Sequence, residues 1–153
     1  MVNEIQFINY ARNITGSAFI KNISLADNYS VINFYSSFYE YKKDNPNSLI
    51  TKKDYTEYFR IGNKIEKILV IENIRLLRQF PTLVGAKMKL PFYGKTYSIE
   101  IDRASVNEYL GFKIEDLKIE DDFWTVGFVD PIVYNKQGIK DFINNFIKVN
   151  WLR

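Results

Sequence analysis

The sequence predicts an α+β fold of about five helices with a small antiparallel sheet, made of a hairpin plus one strand, around a winged-helix-like central core. Three observations lead there. Residues 63–80 run for eighteen positions without a glycine or proline, and carry Ile65, Leu69, Val70, Leu76, Leu77 and Phe80 at helical spacing. Residues 83–102 hold two alternating apolar/polar stretches around Pro91-Phe92-Tyr93-Gly94, the pattern of a β-hairpin. Finally, 46% of the 153 residues are apolar, with 12 Phe and 11 Tyr and no Cys, so the core forms by packing rather than by disulfides. At this length the chain reads as a single domain, 1–153. Within it, residues 1–45 supply N-terminal helices, 46–103 a helix-turn-helix with a hairpin, and 104–153 a C-terminal strand and helix.

In chain order, Asn3 caps a short helix over residues 3–13, with Ile5, Ile8 and Ala11 on one face. Ser24-Leu25-Ala26-Asp27 has the form of a capping box with Asp in place of Glu. Val31, Phe34, Tyr35 and Phe38 follow at i, i+3, i+4 and i+7, so a helix is expected from about 25 to 43, stopped by Asp44-Asn45-Pro46-Asn47. Thr51-Lys52-Lys53-Asp54 caps the next helix, which presents Tyr55, Tyr58 and Phe59. Arg60-Ile61-Gly62-Asn63 turns into the long helix, completing a helix-turn-helix order. Ser105-Val106-Asn107-Glu108 is a capping box for a helix over 106–110 that ends at Gly111. Phe123–Val129 reads as a strand. A last helix starts near Asn135 and carries Ile139, Phe142, Ile143, Phe146, Ile147 and Trp151, a surface also suited to homodimer formation.

Charge is unevenly spread along the chain. Residues 51–95 hold ten Lys/Arg against four Asp/Glu, whereas 1–50 hold four of each and 96–153 hold seven against ten. On the long helix Lys64, Lys67, Arg75 and Arg78 gather opposite the apolar face. Lys52, Lys53, Lys87, Lys89 and Lys95 flank them. These nine cations are the expected nucleic-acid-binding residues, reading phosphates more than base edges because only Asn63 offers an amide near the helix start.

The absence of His and Cys removes histidine triads, imidazole metal cages and thiolate nucleophiles. Gly94-Lys95-Thr96 resembles the end of a phosphate-binding loop, but Lys89 stands where that loop needs glycine. Asp102 with Asp116-Leu117-Lys118 has the spacing of a Mg²⁺-dependent nuclease. That is the distant alternative. The expectation is a non-catalytic nucleic-acid-binding protein with no cofactor and no metal. The alternative is a protein-binding inhibitor, immunity or anti-defence module that occludes a partner such as a nucleic-acid enzyme. Abundant Asn, Lys, Ile and Tyr suit an AT-rich coding sequence, as in low-GC bacteria and their mobile elements. No secretory leader or membrane span is evident, so a cytoplasmic location is expected.

Overall fold

The computed structural model describes residues 2–151. Met1, Leu152 and Arg153, at the limits of the expected domain, lie outside the described residues. The chain is a mixed α+β protein. Helix α1 (Glu4–Ala11) is followed by strands β1 (Ile20–Ala26) and β2 (Tyr29–Phe34), then helices α2 (Phe38–Asp44), α3 (Lys52–Arg60) and α4 (Lys64–Gln79). Strands β3 (Gly85–Phe92) and β4 (Lys95–Asp102) lead into α5 (Arg103–Leu110), a π-helical segment (Trp124–Val133), α6 (Lys136–Phe146) and β5 (Ile147–Trp151).

The five strands form one sheet in sequence order, β1-β2-β3-β4-β5. All neighbours are antiparallel except β2 and β3, which run parallel. Alternation sets the two faces: Ala86, Met88 and Leu90 of β3 are buried, while Lys87 and Lys89 between them are exposed. The inner face packs against α4, whose Leu69, Val70, Ile74, Leu76 and Leu77 are fully buried. Aromatic edges lock the ends of this layer, with Phe19 ringed by Tyr41, Tyr55, Tyr58 and Phe59.

Several local expectations hold. Asn3 caps α1 through its side chain, Thr51 and Asp54 form the reciprocal capping box of α3, and α4 covers the expected span. The β3–β4 hairpin turns at Tyr93 and Gly94, both at positive φ (41° and 82°), as a two-residue loop with the strands' own twist requires.

Other expectations are overturned. Residues 25–43 do not form one helix. Asp27 and Asn28, at φ 52° and 61°, make a second two-residue hairpin turn between β1 and β2, and only Phe38–Asp44 is helical. Asp and Asn tolerate the left-handed region, so the apparent capping box is a turn. Phe123–Val129 is not a strand: Trp124, Phe128 and Val133 are the buried residues, a helical and not an alternating spacing, and Tyr134 N donates to the Val129 carbonyl five residues back. Gly127 permits this, since a Cβ there would lie 2.3 Å from the Phe123 ring. The last helix stops at Phe146, and Ile147–Trp151 pairs with β4 as an edge strand. Asp102, not Ser105, caps α5.

Among the described residues the sheet therefore has five strands where a hairpin plus one was expected, and six α-helices and a π-helical segment stand where about five helices were expected. The winged-helix core is not confirmed: β3 and β4 are interior strands, and within α4 only Gln79 is exposed.

Candidate nucleic-acid interface

The nine cations expected to act together are distributed over three surfaces. Along α4, each cation of the basic stripe lies over an aromatic ring: Lys64 over Tyr58 (4.9 Å), Lys67 over Tyr134 (5.1 Å), and Arg75 and Arg78 over Trp124 (5.2 and 4.2 Å). Arg75 Nε also donates to the Glu72 carboxylate at 3.0 Å, and Glu72 is only 2% exposed. Burial pulls the Arg78 guanidinium below its ordinary pKa. The rings Trp124 and Tyr134 belong to the π-helical segment and the residue after it, so that segment roofs the stripe. Two grooves, of about 560 and 320 Å³, remain beside it, and Thr15 and Glu72 line both.

Lys52, Lys53 and Lys95 lie on the side of the helices. Lys53 pairs loosely with Glu57 (3.9 Å), Lys95 lies over Trp151 (4.4 Å), and Lys52 borders a cleft beside α2.

Lys87 and Lys89 stand on the outer face of the sheet, which the alternating burial leaves open. Lys87 pairs with Glu100 across the hairpin (3.5 Å) and lies over the Tyr29 ring. Register then produces a feature that no local stretch of sequence contains. Asn22 pairs with Asn33, Asn33 with Lys89, Lys89 with Ser98, and Ser98 with Lys148. These five residues form one row that crosses every strand, about 19 Å long at the usual strand spacing. Each can donate hydrogen bonds, and none is acidic. A groove of about 590 Å³ runs over Asn33, Lys89, Ser98 and Lys148, with Lys87 and its partner Glu100 also in the lining.

Sequence reasoning found Lys87 and Lys89 but not Lys148, Asn22 or Asn33. The alternation of β3 points to a strand, whereas Asn33 and Lys148 fall in stretches whose spacing fits a helix and Asn22 precedes the helix expected from about 25. Arg103 was also missed. Its guanidinium donates to the carbonyls of Leu77, Phe80 and Leu83 and pairs with Glu115, tying the end of α4 to the start of β3.

In the nuclease alternative, Asp102 would be a metal ligand. Its carboxylate accepts from Ser105 N and Ser105 Oγ, both at 2.8 Å, and these bonds hold its pKa below the usual carboxylate value. Among the described residues, no three His, Cys, Asp or Glu side chains converge as a metal site, and no helix is long and apolar enough to cross a membrane. No protein-family model, curated protein or solved structure matches the chain.

Proposed function

We propose that this protein binds single-stranded nucleic acid, without catalysis, by laying the phosphodiester backbone across the outer face of its sheet. The observation that carries this is the row Asn22–Asn33–Lys89–Ser98–Lys148, an acid-free track of donors on an uncovered face. Phosphate oxygens accept only, so a track of amides, a hydroxyl and ammonium groups complements them wherever the strand lies. Lys87 adds a third cation beside the row, half-shared with Glu100.

A flexible strand suits this face better than a duplex suits α4. Insertion of α4 into a major groove would require the stripe to leave its aromatic roof and the helix to leave the sheet. The sheet-face lysines require no such rearrangement.

Fluorescence anisotropy with a labelled single strand and a duplex of the same sequence tests the proposal. Three cations on phosphates give a log-log salt slope of about −2 for a single strand. Lys89→Glu with Lys148→Glu should abolish binding at low salt, whereas Lys64→Glu with Lys67→Glu should change it little. Equal loss with both pairs, or no binding by the unaltered protein, refutes the sheet-face reading.

A protein partner is the second reading, favoured by the free edge of β5. There Val149 and Trp151 are 43% and 69% exposed beside backbone groups that pair with no further strand among the described residues, which is the surface that β-strand addition uses.

A further inference from the structure

At one end of the sheet, beyond β2 and the β3–β4 turn, lies a cleft of about 610 Å³, within the usual range for small-molecule sites. Phe38, Tyr39, Tyr55 and Tyr93 line it, and Lys42 and Lys52 border it with no carboxylate in the lining. Phe38 and Tyr55 stack on each other at 6.0 Å with planes 29° apart, and both rings line the cleft. Tyr39 and Tyr93 are 79% and 58% exposed, a large aromatic area for a monomer to leave uncovered at one cleft.

The polar groups are as specific as the rings. Lys42 Nζ donates to the Ser48 carbonyl at 2.6 Å, which fixes the ammonium while leaving two of its N–H groups free. Neither Lys42 nor Lys52 forms an ion pair among the described residues. Of the two acids of α2, Glu40 and Asp44, neither lines the cleft, and Glu40 is engaged by Lys21 and by Ser36 N. Tyr55 is 3% exposed, yet its hydroxyl bonds to no other described residue and its ring lines the cleft. Burial pushes its pKa up to about 12, so it remains a hydrogen-bond donor across the physiological range.

We propose that this cleft is a binding site for a planar aromatic anion of the 5′-nucleotide type, with the ring stacked among the tyrosines and the phosphate held by Lys42 and Lys52. Flat apolar walls recognise a ring, and two unpaired ammonium groups at the rim recognise a charge close to it. The same chemistry is offered by a free mononucleotide and by the phosphorylated 5′ end of a strand. The proposal does not rest on the sheet-face reading, because the cleft shares no residue with the donor row.

Isothermal titration calorimetry against adenosine 5′-monophosphate, adenosine and ribose 5-phosphate tests it. Short oligonucleotides with and without a 5′-phosphate distinguish the two sources. The mononucleotide should bind at least about tenfold more tightly than either fragment. Tyr39→Ala should weaken it at least about fivefold, the lower end of what a lost stacking partner costs. Lys52→Glu should do the same, and both positions are exposed enough for the variants to fold, as circular dichroism will verify. Binding confined to the 5′-phosphorylated oligonucleotide, and lost in both variants, assigns the cleft to strand ends. Equal affinity for ribose 5-phosphate, indifference to both substitutions, or no binding by any phosphorylated probe overturns the proposal. Lys89→Glu with Lys148→Glu alters the sheet face and leaves the cleft intact, so this variant should bind the mononucleotide as the parent does and the two readings fail independently.

Discussion

The cations of α4 and those of the outer sheet face share a charge but not a situation. Lys64, Lys67, Arg75 and Arg78 each rest on a ring, and Arg75 also neutralises a buried carboxylate. Lys89 and Lys148 stand in the open row with neither ring nor ion pair among the described residues. A charge already engaged inside the fold has less to offer a ligand, because binding would exchange one partner for another. A basic stripe counted along a sequence therefore says where positive charge is, not whether it is free.

The largest test of that contrast is Trp124→Ala. It removes the ring beneath Arg75 and Arg78 and leaves a cavity against Phe128, so urea denaturation should show a loss of about 3–5 kcal/mol. Lys89→Ala should stay within about 0.5 kcal/mol of the parent. A similar cost at both sites would erase the distinction. Next is Glu72→Gln, which strips Arg75 of its charged partner at a 2% exposed position. About 1–3 kcal/mol of stability should go, with binding of single strands unchanged. Smaller still is Tyr134→Ala, which removes the ring under Lys67 and should cost about 0.5–1 kcal/mol. The last test is pH. Asp102 has its pKa lowered from 3.8 by the Ser105 bonds, so its contribution is fully present above that value and lost as pH falls through the lower, folded one. Urea midpoints of the parent should therefore approach those of Asp102→Asn as pH drops from 6 to 3, with the gap widest at pH 6.

Segments with one unambiguous local signal were legible in the sequence. The capping box at Thr51 and Asp54, the breaker-free period of α4 and the Tyr93-Gly94 turn each admit one reading, and each is present in the structure. Segments compatible with two periods were not. Phe142, Phe146 and Ile147 fit a helix, while Ile147, Val149 and Trp151 fit a strand; the free edge of β4 decides between them. Likewise Val31 and Phe34 fit a helical stripe, yet β2 buries Ser30, Ile32 and Phe34 because β3 lies beside it. The candidate site shows the same limit. Lys87 and Lys89 could be read from β3 alone, but the row they join depends on register across five strands. The roof over α4 comes from Trp124 and Tyr134, well beyond it in the chain, the first in a stretch that resembles a strand and the second past its expected end.

The parallel seam between β2 and β3 also carries a kinetic consequence. Both hairpins close over two residues and can form within microseconds, whereas the seam joins Tyr29–Asn33 to Gly85–Lys89 across the whole α2–α3–α4 excursion. α4 gains its floor from the β3–β4 hairpin that follows it, without the seam, but β2–β3 and β4–β5 both close over long stretches of chain, so the donor row, which crosses both pairings, should assemble after the hairpins.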